Sequence, residues 1–516
     1  MQRLGDLAFA NLGPRTSSLD YISITAVTPT VGTVSTIIDQ MHPKFPSWNP
    51  LHHAHPHSHS HPPEASSSAV MALASMYPIP VKEELQKQFV GKSLKDINGP
   101  AAVLDRGKVM DNCNRMLNAV ESLNFGWRAH IKTHKTTELT RLQVGEGTGP
   151  VNIIASTLLE AENIVPLLTE YRSAGRAVDL LYSFPITPAA VERLSLISKS
   201  LGSRSLSLMV DHVDQLPSVA ALHTLSGHAP SVFLKIDMGG KRAGVPPQTA
   251  ECSTLISALL EREEQGTLHF HGLYSHAGQS YSSSARSDAL DFLRQEFEAL
   301  LVTADELRTL SPTHHPVLSV GATPTTTSIR NLLIPHASTD PSEGTAIAAL
   351  RATTDLILTN GCTIEIHAGV YPILDIQQLA THALPASSLT WANLALTILA
   401  EVASVYPTRG AAASPEILIS SGVLALGREP CKAYPGWAIL SPWNRPGAKE
   451  PVEGPESHVG WQVGRLSQEH GVLVWGSGTE REREGEAVPE EEVTSLSSPR
   501  CLVLPVCVRR FVENLC

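Results

Sequence analysis

Eight short apolar runs, each set apart by a spacer long enough for a helix, constrain this chain more than any other feature. They lie at His130–Lys132, Asn152–Ser156, Asp179–Ser183, Ser207–Asp211, Val232–Asp237, Leu268–His276, Val317–Ala322 and Thr363–Gly369. A parallel strand covered on both faces reads as a short apolar run, and consecutive parallel strands need a crossover helix between them. Val109, Met110, Cys113, Met116, Leu117, Val120 and Leu123 recur three and four apart, as on one face of such a helix. Eight strand–helix units predict an α/β chain built on a parallel (β/α)8 barrel.

The chain is 516 residues long, enough for a barrel and a second domain. Residues 1–76 are rich in Ser, Thr, Pro and His without a sustained period, so a disordered extension is expected there. The alternating histidines of His52–His61 are read as adventitious metal binders, and folded sequence is expected from Tyr77, with Met71 and Met76 as alternative starts. Residues 77–384 hold the barrel. Residues 385–478 turn to strands and turns (Glu416–Ser421, Trp437–Leu440, Gly471–Trp475) and are expected to form a smaller β domain. Residues 479–516 form an acidic and then apolar tail of atypical composition.

Composition excludes several classes of function. Thirty-nine Lys and Arg face 50 Asp and Glu, which argues against general nucleic-acid binding. Seven scattered cysteines without a CxxC pair suit a reducing, cytoplasmic compartment. The longest apolar run, Leu389–Tyr406, carries Asn393 and Glu401 and is read as buried strand or helix, not as a membrane span. No secretory signal is evident at the N-terminus.

Chemistry in such barrels gathers at the C-terminal strand ends. The first run ends in Arg128–Lys135, RAHIKTHK. If Ala129–Lys132 is a strand, alternation sends His130 and Lys132 inward. A lysine there either stays solvated or works as a neutral amine that condenses with an aldehyde. Asp237–Gly244 after the fifth run offers close-approach glycines and Arg242. The sixth run leads to His276 and Tyr281. The seventh and eighth end in Gly321, Ala322 and Thr323 and in His367, Gly369, Val370 and Tyr371, the composition a phosphate loop requires.

RAHIKTHK resembles the RPHxKTHK signature of the D-serine dehydratase and D-threonine aldolase family, relatives of the alanine racemase barrels that carry pyridoxal phosphate; Ala129 stands where the family has proline. GLYSHAGQSY, VGATPT and HAGVY, continued through Asp375, are similar to further family signatures. The resemblance implies that Lys132 holds the cofactor and acts as base, and that Arg242 meets the cofactor's ring oxygen. It implies that His276 stacks on the pyridine face, Tyr281 lines the pocket and His367 lies near the pyridine nitrogen. Gly321, Ala322 and Thr323 with Gly369, Val370 and Tyr371 would hold the phosphate. It also implies a homodimer, a β domain built from both chain ends so that the strand at Ala101 joins it, and a small D-hydroxy amino acid as substrate. Conversion of D-serine to pyruvate and ammonia is the leading expectation; the alternatives are Cα–Cβ cleavage, as in a D-threonine aldolase, and cofactor binding without turnover.

The end of the chain departs from this pattern. Family dehydratases place a His-x-Cys pair, and aldolases a His-x-Asp pair, where zinc is bound. Beyond about residue 475 neither pair occurs. Zinc is therefore expected from the family without a ligand motif here, and no metal ligand is assigned.

Overall fold

The computed structural model describes residues 24–26, 82–334, 340–427, 436–441, 459–477, 488 and 501–505. The histidine run at His52–His61 lies outside them.

The barrel closes through eight parallel strands: β3 (Gly126–His130), β4 (Val151–Ala155), β5 (Val178–Pro185), β6 (Leu206–Val210), β7 (Ser231–Lys235), β8 (His269–Tyr274), β9 (Val317–Val320) and β10 (Thr363–Ala368), with β10 returning to pair with β3. All eight apolar runs contribute a strand. β6 and β7 are buried at every position, which is why they read as continuous apolar runs and not as alternating ones. Local chemistry starts and stops the helices around them. Asp105, Thr136, Thr157 and Thr249 cap helices Arg106–Ser122, Thr137–Val144, Leu158–Ser173 and Ala250–Glu264 by accepting from backbone N–H groups of the first turn. Gly227, in the left-handed conformation, ends the helix Leu216–Ser226.

The second domain is an antiparallel sheet ordered β1 (Ile24–Ala26), β2 (Ala101–Leu104), β11 (Leu396–Tyr406), β12 (Glu416–Ile419), β14 (Gly471–Ser477) and β13 (Val459–Leu466). β2 pairs with β11, so segments before and after the barrel share one sheet. The apolar run from Leu389 is thus the central strand β11, preceded by a single helical turn at Trp391–Asn393. Two segments of unpromising sequence contribute strands. β1 joins the edge of β2 from within the N-terminal extension, and β15 (Cys501–Pro505) pairs with β11 from within the tail, with Leu502 and Leu504 buried.

Candidate active site

The first barrel strand stops at His130, two residues short of the expected Lys132. Ile131 N–H donates to the Ile154 carbonyl at 3.1 Å and Lys135 N–H to the Ile131 carbonyl at 2.8 Å, which closes the chain into a turn. Lys132 is therefore placed by the turn and not by strand alternation, half-buried at the mouth with its N–H toward His130 Nδ1 at 3.4 Å. Lys135 takes a left-handed backbone and its ammonium lies 3.7 Å from Glu160.

Three histidines converge on Lys132. His130, His276 and His367 are each held neutral, well below the ordinary imidazole range, by burial first and then by nearby cations that include Lys132. His276 Nδ1 donates to the Gly321 carbonyl at 2.6 Å, which ties the loop after β8 to the loop after β9. The His367 ring stacks on Tyr274 at 4.2 Å and 9°, and its Nε2 is buried without a hydrogen-bond partner among the described residues.

The loops after β9 and β10 interlock. Val370 N–H donates to Thr323 Oγ1 at 3.1 Å, which leaves the hydroxyl proton of Thr323 to serve another acceptor. Gly321 N–H is taken by Glu296 Oε1 at 3.3 Å and Ala322 N–H by Thr325 Oγ1 at 2.9 Å, so Thr323 offers the outward donor of that run. Gly321 has a φ of 149°, and a Cβ there would run into the His367 carbonyl. A Cβ at Gly369 would lie 3.1 Å from the His130 carbonyl, so this glycine lets the loop after β10 close against the lysine turn. Tyr371 turns its ring outward, edge-on to Trp127 at 5.2 Å. Arg242 is exposed on the loop after β7, near enough to lower the pKa values of Lys235 and His276. Tyr281 sits half-buried in the helical turn Gly278–Ser282.

Comparison with known proteins adds the lineage. Residues 104–336 match the alanine racemase N-terminal domain, and residues 395–489 match the putative serine dehydratase domain. The D-serine dehydratase of Schizosaccharomyces pombe is 34% identical over 395 residues, covering 76% of this chain and 83% of the relative. This chain belongs to the D-serine dehydratase family. The D-serine dehydratase of Saccharomyces cerevisiae is 32% identical over 406 residues, covering 76% of this chain and 87% of the relative. The solved D-threo-3-hydroxyaspartate dehydratase from Delftia sp. HT23 shares the fold, with a TM-score of 0.60 at 23% identity over 82% of this chain and 94% of that one.

In this member of the D-serine dehydratase family, several residues at the mouth escaped the sequence reading. Lys235 ends β7, on the opposite side of the barrel from β3, with its ammonium 4.5 Å from the centre of the Tyr274 ring. Burial, and then Arg242, push its amine down to about 7. Its signal was a charged residue inside an apolar run. Glu296, wholly buried on the helix Arg286–Leu310, accepts from Ala277 N–H at 2.8 Å and from Thr325 Oγ1 at 3.1 Å besides Gly321 N–H, joining the His276 loop to the loop after β9. No local pattern pointed to it. Among the described residues, no cluster of three His, Cys, Asp or Glu side chains is placed to hold a metal ion, and no helix is long and apolar enough to cross a membrane.

Proposed function

We propose that the chain is a pyridoxal-phosphate-dependent D-serine ammonia-lyase that converts D-serine to pyruvate and ammonia. The carrying observation is that a chain about one-third identical to two D-serine dehydratases across three-quarters of its length places Lys132 at the C-terminal mouth of its first barrel strand. The mouth fits the cofactor. It has an amine, two close-approach glycines and, among the described residues, a hydroxyl whose proton is uncommitted and a buried imidazole nitrogen without a partner. Lys132 would hold the aldehyde carbon, Arg242 the ring oxygen and Thr323 the phosphate, with Gly321, Ala322, Gly369, Val370 and Tyr371 shaping its loops; His276, His367 and Tyr281 would line the ring.

Pyridoxal phosphate supplies an electron-poor ring that stabilises negative charge at the substrate Cα. The chain's own residues do the rest. Lys132 Nζ, displaced by the substrate amine, takes the Cα proton. His276 is pinned to the Gly321 carbonyl and His367 is stacked on Tyr274, and both stay neutral, so neither competes for that proton. Zinc does not fit the end of this chain, which beyond about residue 475 has neither the His-x-Cys nor the His-x-Asp pair, and no step is drawn through it. Lys132 Nζ, carrying the Cα proton, would be the acid that helps the β-hydroxyl depart. The same reading, by family resemblance, makes the protein a homodimer; the free thiols of Cys113, Cys252 and Cys362 suit a reducing compartment.

Full-length protein supplied with pyridoxal phosphate should release pyruvate from D-serine and lose this activity in Lys132→Ala. Glycine and acetaldehyde from D-threonine, without pyruvate from D-serine, would replace this reading with the aldolase one.

A further inference from the structure

His367 heads a buried chain of side chains that crosses the barrel interior. Its Nδ1 lies 3.1 Å from Ser319 Oγ; Ser319 Oγ lies 2.7 Å from Glu365 Oε1; and the same Oε1 lies 2.7 Å from Arg128 Nε. Asn152 Nδ2 approaches the other oxygen of Glu365 at 3.3 Å, and Asp179 takes Arg128 NH1 at 2.7 Å. Arg128, Ser319, Glu365 and His367 are all buried.

The direction of each hydrogen bond follows from what each group can do. Arg128 Nε and Asn152 Nδ2 only donate, so Glu365 is addressed as an acceptor on both oxygens. Ser319 has one proton, and its shorter contact is to that carboxylate, which takes it. What Ser319 Oγ then offers Nδ1 is a lone pair, so Nδ1 must carry hydrogen. Burial, then the charges of Lys235, Arg128 and Lys132, keep His367 neutral, although the nearby Gly321 carbonyl pulls the other way. A neutral imidazole with its proton on Nδ1 has none on Nε2. That nitrogen is the one buried without a partner among the described residues, and the stack on Tyr274 fixes the plane in which its lone pair points.

We infer that Ser319 and Glu365 are positioning residues that lock His367 in the Nδ1–H tautomer, so that Nε2 presents a bare lone pair to the site and accepts from the protonated ring nitrogen of the cofactor. The identity of that donor rests on the proposed function; the tautomer does not. A ring nitrogen that keeps its proton draws charge from Cα more strongly than a bare one.

The test uses full-length protein labelled at the histidine nitrogens, stripped of pyridoxal phosphate and read by long-range proton–nitrogen NMR, with His367→Asn identifying the signals. The wild type should show the Nδ1–H pattern, Ser319→Ala the Nε2–H pattern that free neutral histidine prefers, and Ser319→Thr the wild-type pattern again. An Nε2–H pattern in the wild type, or no change in Ser319→Ala, overturns the tautomer without touching the lyase reading, which is judged by pyruvate release. Pyridoxal phosphate and its analogue with carbon in place of the ring nitrogen are then titrated into the same protein. The wild type should favour the nitrogen form roughly tenfold, the scale of one hydrogen bond. Equal binding in the wild type overturns the donor assignment, and the two wild-type measurements decide even if Ser319→Ala fails to fold.

Discussion

At the mouth of the barrel, the loops after three strands are tied into one another: His276 to Gly321, Val370 to Thr323, and Glu296, from the helix Arg286–Leu310, to both Ala277 and Thr325. The far end of the chain makes a different contribution. β15 adds backbone pairing to β11 and buries Leu502 and Leu504, yet the sequence there holds none of the paired ligands that family members use for zinc. On the proposed function, the difference assigns holding the cofactor to the barrel mouth and leaves the chain end without the ligands that would help expel the β-hydroxyl.

The strongest way to break this contrast is at the lysine. Lys132→Ala should abolish the near-ultraviolet and visible absorbance of the bound cofactor and lower D-serine turnover by roughly a thousandfold or more, the scale of a lost general base. Lys135→Ala should keep both, because Lys135 is turned toward Glu160. The reverse pattern would mean that the turn after β3 presents the other amine.

Next in size is the chain end. Replacing residues 479–516 with a segment that restores a His-x-Cys pair should raise pyruvate release from D-serine by about a thousandfold and make it sensitive to EDTA. Lewis-acid assistance is worth several kcal/mol, at about 1.4 kcal/mol per tenfold. Rapid, chelator-resistant dehydration by the natural chain would erase the contrast between the two regions.

Glu296 sharpens the barrel side. Burial raises its carboxyl from 4.5 to about 7, against the pull of Ala277 N–H. The folded state therefore holds the proton more tightly than the unfolded one, and this stabilisation is complete below pH 4.5 and lost as pH rises to about 7. The unfolding free energy of the wild type relative to Glu296→Gln should fall by on the order of 3 kcal/mol across that window, measured by denaturant titration of the cofactor-free protein. Above it Lys235 acts with the opposite sign. Its amine is pushed from 10.5 down to about 7, so stability recovers as pH rises through that range. A flat wild-type-minus-variant difference would mean that Glu296 does not titrate as the anchor of the two loops.

The smallest effect belongs to Thr323. Thr323→Ala should weaken cofactor retention by about 1 to 3 kcal/mol, the range for a hydrogen bond to a charged group, read by equilibrium dialysis. Unchanged affinity would place the phosphate on other donors.

Much of this architecture was legible in the sequence because its causes are local. Each barrel strand shows as a short apolar run, the helix after Ala101–Leu104 as apolar residues three and four apart, and the mouth residues follow because glycine and threonine compositions mark loops that a phosphate can approach. The end of β3 was less legible: alternation carries Lys132 inward only if the strand continues, and the hydrogen bond from Lys135 N–H to the Ile131 carbonyl is what stops it. β1 and β15 were not legible at all. Each is stabilised by pairing with a strand distant in sequence, β2 and β11, and not by any period of its own.

By itself, then, the sequence determined the barrel through its hydrophobic period, and through motif resemblance the two-ended second sheet and the lysine at the mouth, since both kinds of signal are carried by neighbouring residues. Tertiary structure alone decided which buried polar groups meet. Arg128 reaches Glu365 across 237 positions and Ser319 reaches His367 across 48. Lys235 and Glu296 have displaced pKa values because closure of the barrel removed water around them. Burial and partnership are properties of the closed barrel, and they set the protonation of the site in a way that no stretch of the chain states on its own.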